Sequence, residues 1–201
     1  MKLTNGERSI ARVVLAHGAG APMDSEFMQE VAISLSKGGV EVTRLEFPYM
    51  QVRRETGKRR PPDPMEKLLA SYKEVVADIP KDKPIYLAAK SMVGRVASML
   101  LNELDVVAGF AFVSPFHPIG KPTSLIVSPL MELTKPLYIY QGTRDKLGSQ
   151  PEVRSYLLPE NVQVAWFESA DHDLKPLKRS GFTQREYIHL AVADMLDKIV
   201  N

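Results

Sequence analysis

Short apolar, β-branched runs alternate along the chain with longer segments whose apolar residues recur every three or four positions. That is the pattern of parallel strands joined by crossover helices. The runs are Ala11–Ala16, Val40–Phe47, Pro84–Ala89, Val106–Val113, Pro136–Gln141 and Val162–Phe167. Between the first two, Phe27, Met28, Val31 and Leu35 share a helical face, opened by Asp24 or Ser25 and closed by Gly38 and Gly39, which predicts a helix over 24–37. A weaker helical pattern runs over 64–79 and ends before Pro80. After Ser91 the apolar positions Val93, Val96, Ala97, Leu100 and Leu104 predict a helix over 92–104. The last helix, 184–200, is announced by a capping box, Thr183 with Glu186. There is no internal repeat and no linker-like stretch, so residues 1–201 read as a single α/β domain. Its expected sheet is minimal and mostly parallel, with about six strands and helices on both faces.

Composition narrows the chemistry. With 44% hydrophobic and 25% charged residues, 201 residues are enough to bury a core. A net charge of +2 argues against nucleic acid as a whole-surface partner. The absence of cysteine removes disulfides, thiolate nucleophiles and Cys-ligated zinc, and makes the reducing cytoplasm the expected location. No segment has the length and apolarity of a membrane span or a leader, so no membrane role is expected.

The junction between the third run and its helix reads Ala88-Ala89-Lys90-Ser91-Met92-Val93-Gly94-Arg95. A serine on a sharp strand-to-helix turn is the signature of a nucleophile elbow, usually G-x-S-x-G, followed in chain order by an acid and a histidine. Most serines before a helix are simply caps, and the glycine-poor turn alone is weak. Asp145, however, follows the fifth run and His172 the sixth, so Ser91, Asp145 and His172 all fall at strand C-termini, the edge where sites of parallel sheets assemble. A turn-capping Asp145 and a solvated His172 are the plainer readings of each residue alone. The small-residue segment His17-Gly18-Ala19-Gly20-Ala21 after the first run suits an oxyanion loop, with Ala19 and Met92 as the N–H donors and His17 ordering the loop. It matches neither glycine-rich phosphate loop.

The segments HGAGAPMDSEFM (17–28), FPYM with its RRETGKRRPPDP continuation (47–64), KSMVGRVASML (90–100), PFHPIGKP (115–122), QGTRDKLGS (141–149) and DHDLKP (171–176) resemble a small lidless α/β-hydrolase family. It is distantly similar to dienelactone hydrolases and is shared by bacterial proteins and animal testis-expressed and chromatin-complex subunits. The resemblance implies the α/β-hydrolase fold without a lid domain. It also implies a serine esterase or thioesterase with Ser91 as nucleophile, Asp145 as acid and His172 as base. Such chemistry calls for no metal and no organic cofactor. Where the family pattern approaches G-K-S-M-G-G-R, this chain carries Ala89 and Val93, and a branched residue in a packed elbow costs about 1–3 kcal/mol. The alternative is therefore a weak or inactive hydrolase fold that serves as a protein-interaction module with a protein partner.

Two features bear on the substrate. Phe116 and His117 begin the short connection after the fourth run and are candidates, with His17, to line the pocket; a packed turn is the other reading. Arg53, Arg54, Lys58, Arg59 and Arg60 form a basic run in a proline-ended loop, which reads as a solvated surface, as a device that steers an anionic ester, or as a dock for an acidic partner or RNA.

Overall fold

Each apolar run contains a strand in the computed structural model, which describes residues 1–6 and 9–201. In chain order the elements are β1 (Lys2–Asn5), β2 (Ala11–Ala16), α1 (Glu26–Lys37), β3 (Val40–Leu45), α2 (Pro48–Thr56), α3 (Met65–Ala77), β4 (Ile85–Lys90), α4 (Met92–Leu101), β5 (Gly109–Phe112), α5 (Ser128–Met131), β6 (Leu137–Gly142), α6 (Gln150–Arg154), β7 (Val162–Phe167) and α7 (Gln184–Val200). The strands form one sheet in the order β1-β3-β2-β4-β5-β6-β7. Neighbours from β3 through β7 pair in parallel, and β1 pairs antiparallel with β3, Lys2 opposite Leu45.

The period-two geometry of a strand divides the core. In β2, Val14 and Ala16 face α2, α3 and α4, while Val13 and Leu15 face α1 and α7. β4 alternates the same way, Leu87 and Ala89 on one side and Tyr86 and Ala88 on the other. With both faces covered, every residue of β2 is buried, as a central parallel strand requires.

Two expectations are corrected. Among the described residues the sheet has seven strands where six were legible, because β1 has one apolar residue in Lys-Leu-Thr-Asn and lies exposed on the sheet edge. The basic run is not one loop: Arg53 and Arg54 stand in the last turn of α2. That helix starts at Pro48, whose fixed φ suits the first helical position, and buries Tyr49 and Met50. It ends at Gly57, whose φ of 68° is the left-handed cap that glycine adopts without strain. The connection from β5 to β6 carries the four-residue α5 and no inserted domain.

Candidate active site

Ser91 sits between β4 and α4 with φ 56° and ψ −133°, a backbone that non-glycine residues rarely adopt. Its N–H donates to Phe112 O at 2.8 Å and its carbonyl accepts from Gly94 N–H at 2.7 Å, so β5 and α4 together hold the strained turn. Val113, at the end of the adjacent β5, also has positive φ (53°), which is costly for a β-branched residue. The tight approach in the elbow falls on Gly94, where a Cβ would lie 3.1 Å from Ser114 Oγ and 3.3 Å from Ala111 Cβ. Val93 instead buries its side chain completely in the core on the α3 and α4 side, and Ala89 does the same from β4. The anticipated crowding at Val93 is thus absorbed by core packing, and the small-residue demand lies one position later.

Ser91 Oγ is 2.7 Å from His172 Nε2, and His172 Nδ1 is 2.7 Å from Asp145 Oδ2. Because a carboxylate only accepts, the proton of a neutral His172 belongs on Nδ1, which leaves Nε2 to accept from the Ser91 hydroxyl. Asp145 is fully buried. Its second oxygen accepts from Leu147 N–H at 2.9 Å, and Gln141 Nε2 donates to Oδ2 at 2.9 Å. Strand, elbow and two separate loops thus bring three residues distant in sequence into one hydrogen-bonded chain.

The loop after β2 is fixed by its own histidine. Phe47 N–H donates to His17 Nε2 at 3.2 Å, so the ring's proton is on Nδ1, which donates to Gly18 O at 2.7 Å. In a trans peptide the N–H points opposite the carbonyl, so this anchor turns the Ala19 N–H away from the buried ring. Ala19 lines the same cavity as Ser91. Among the described residues no carbonyl or side chain accepts from the Ala19 or Met92 N–H, leaving both as free donors. Burial holds His17 below its usual pKa, against the opposing pull of Gly18 O and Glu46, and so keeps it neutral.

A cavity of about 500 Å³ opens over Ser91 and His172, walled by residues 18–21, Phe27 and Met28. Lys90 and Asp173 form its charged side: Lys90 Nζ is 2.6 Å from Asp173 Oδ1 and 5.1 Å from the centre of the Phe27 ring. Burial alone would raise the Asp173 carboxyl, but the Lys90 hydrogen bond and charge outweigh it and hold it below the usual carboxylate range. Glu26 adds a second carboxylate to the lining. Of the basic run, Arg53 brings its charge to the cavity wall and Arg54 is neutralised by ion pairs. Arg53 donates to Gly20 O at 3.0 Å, while Arg54 pairs with Asp24 at 2.9 Å and the buried Glu46 at 2.7 Å. Lys58, Arg59 and Arg60 are exposed and do not line the cavity.

Three residues proposed as pocket lining are placed elsewhere. His17, Phe116 and His117 are 0%, 1% and 2% exposed, and none borders the cavity. His17 is consumed by the loop anchor just described. Phe116 and His117 donate their N–H groups to Leu147 O, and the Phe116 ring lies where a Cβ on Gly148 would be, 2.6 Å away. They brace the loop that carries Asp145. Gln141, Lys90 and Asp173 were missed as site residues, although all three lie within motifs already quoted; only three-dimensional packing distinguishes them from ordinary polar neighbours. Among the described residues no three His, Asp or Glu side chains are arranged to hold a metal ion. No helix among them is long and apolar enough to cross a membrane.

A family model described as an alpha/beta hydrolase domain matches residues 9–200. No curated protein matches the chain. Among solved structures, Est1E of Butyrivibrio proteoclasticus with ferulic acid bound is similar over 100% of this chain and 95% of its own, at 13% identity and a TM-score of 0.73. An esterase of Pyrococcus furiosus is similar over 96% and 83%, at 20% identity and 0.68. An a/b serine hydrolase of Xanthomonas campestris described as lacking a lid is similar over 98% and 85%, at 15% identity and 0.65. At these identities the likeness concerns the fold.

Proposed function

The chain belongs to the alpha/beta hydrolase family, and from that premise we propose that it is a serine hydrolase acting on a small ester or thioester through a covalent acyl-enzyme. Ser91 attacks the carbonyl carbon while His172 Nε2 takes the hydroxyl proton. Asp145 holds the imidazole in the required tautomer and offsets the positive charge that forms on it. The Ala19 and Met92 N–H groups receive the developing oxyanion, each worth about a hundredfold or more in rate. His172 then returns the proton to the departing alcohol or thiol, and water releases the acyl group by the same steps in reverse order of roles.

The reading is carried by one observation, the unbroken chain of 2.7 Å contacts from Ser91 Oγ through His172 to the fully buried Asp145. The cavity's own charges are one lysine, already paired, and two carboxylates. Arg53, bonded to the Gly20 carbonyl on the cavity wall, adds a positive charge at the rim. The interaction-module alternative leaned on Val93 and on family members that sit in multi-subunit complexes; of these, Val93 is buried in the core while Ser91 Oγ keeps its 2.7 Å contact with His172.

A fluorophosphonate probe and a series of p-nitrophenyl esters of increasing acyl length test this. The expected result is labelling at Ser91 and hydrolysis of the shorter esters, with Ser91→Ala folded, unlabelled and slower by about a millionfold or to the detection floor. Folded wild-type protein that neither labels nor turns over any ester overturns it.

A further inference from the structure

Gln141 stands at the C-terminal end of β6 with no exposed surface. Its Nε2 reaches three acceptors: Asp145 Oδ2 at 2.9 Å, Ser114 O at 3.1 Å and Gly148 O at 3.1 Å. Since none of these can donate, the amide must present its nitrogen to them, and the side chain has only one orientation. The consequence is visible on its other side, where Oε1 is buried with no partner among the described residues. A bare buried amide oxygen is destabilising, and an apolar side chain of similar size would avoid it. The position therefore keeps a donor at an energetic cost, and the donor is aimed at the oxygen that also accepts from His172 Nδ1.

We propose that Gln141 is a positioning residue for the proposed reaction: its amide ties Asp145 Oδ2 to the backbone at Ser114 and Gly148, and so fixes the carboxylate that orients His172. The inference rests on the Ser91, His172 and Asp145 reading above. Leu147 N–H secures only Oδ1, so without Gln141 the carboxylate retains one fixed oxygen and can rotate about it. The amide also shares the negative charge that Oδ2 presents to the imidazole. Removing it concentrates that charge on His172 and favours the protonated ring, which cannot act as a base. Gln141 does not border the cavity over Ser91. Its loss should accordingly act on turnover and leave substrate binding alone.

The test is a pH profile of kcat/KM, with fluorophosphonate labelling rates alongside, for wild type, Gln141→Leu and Gln141→Glu. In Gln141→Leu, kcat is expected to fall about tenfold at nearly constant KM, and the acidic limb of kcat/KM to move up by about half a pH unit. Gln141→Glu keeps the shape and places a second carboxyl against Asp145. Two such groups in a dry site do not both ionise readily, so the introduced carboxyl donates its O–H at low pH and repels at high pH. The expected profile is near wild type in acid, with an added descending limb that wild type lacks. Should Gln141→Leu fail to fold, the Glu variant decides alone. Folded variants that retain the wild-type profile overturn the role of Gln141 while labelled wild type leaves the parent reading intact; an unlabelled wild type removes both.

Discussion

Residues 17–23, at the end of β2, are held by side chains that arrive from elsewhere. Arg44 donates to Met23 O, Glu46 accepts from Met23 N–H, Arg53 donates to Gly20 O, and Phe47 N–H fixes the His17 ring that anchors Gly18. After β7, residues 168–170 are likewise tied from elsewhere, Arg144 donating to Ser169 O and Ala170 O, Thr143 Oγ1 accepting from Ser169 N–H and Tyr187 OH donating to Glu168 O, whereas the turn 171–175 that carries His172 closes largely on Asp171. Asp171 Oδ1 accepts from the N–H groups of Asp173 and Lys175, and Asp171 N–H closes onto Lys175 O. Ala170 and Leu174 are its buried anchors, and the Lys90–Asp173 pair is a surface tie. In the proposed reaction the first loop offers a fixed N–H donor at Ala19, whose worth lies in needing no reorganisation when charge develops. The second carries the proposed base, which must address both Ser91 and a leaving group, on a turn closed by Asp171. The two halves of the site thus divide between distant ties and a local turn.

If that division holds, breaking the first loop should cost the most. His17→Phe keeps an aromatic ring beside Phe47 and Tyr49 but removes the acceptor for Phe47 N–H and the donor to Gly18 O. The Ala19 N–H then loses its fixed direction. The expected result is a fall in kcat of about a hundredfold, comparable to deleting one oxyanion donor, with KM little changed. Weaker binding of a boronic acid that mimics the tetrahedral intermediate should accompany it. Equal boronate affinity in folded His17→Phe and wild type would show that the ring does not set the donor.

Loosening the second loop should cost less. Asp171→Ala leaves two N–H groups to solvent and frees the turn that presents His172. A fall in kcat of about tenfold is expected from the looser placement of the base. Boronate affinity should drop much less than in His17→Phe. A loss as large as that of His17→Phe would make the two loops equivalent and end the contrast.

The parts of this architecture that were legible in the sequence are those written in neighbouring residues. β2 and β7 begin and end where their apolar runs do, and α7 begins at its capping box. The placement of Ser91, Asp145 and His172 beyond strand C-termini was legible because those termini announce themselves locally. What stayed hidden depends on partners far along the chain. β1 is a strand only because β3 offers it an edge. Phe116 and His117 brace the Asp145 loop through Leu147 O, a contact across about thirty residues that no spacing rule contains. Val93 looked like an obstacle because the elbow was judged by its own residues; the space it fills belongs to the core beneath. Arg54 looked like a solvated charge because Glu46 and Asp24 are its partners only once α2 has folded onto β3.

The smallest expected effect is also the most direct probe of how dry the first loop is. His17 is neutral in the folded protein and its pKa lies below the ordinary histidine value, chiefly because burial penalises the charged ring. The unfolded chain has no such penalty and takes up a proton as pH falls through about 6.5. Below that point the unfolded state binds more protons than the native state, so stability falls as pH falls, until the native ring is protonated too. The slope from one such group is at most about 1.4 kcal/mol per pH unit. The other histidines are common to both proteins, so the quantity to measure is a difference: urea unfolding of wild type and His17→Phe at about pH 7.5, 6.5 and 5.5. The variant should lose less stability on acidification than wild type, although it starts lower. Parallel slopes would mean that native His17 exchanges protons as freely as the unfolded residue, and a ring that accessible could not hold the Gly18 carbonyl through its Nδ1 proton while keeping Nε2 for Phe47.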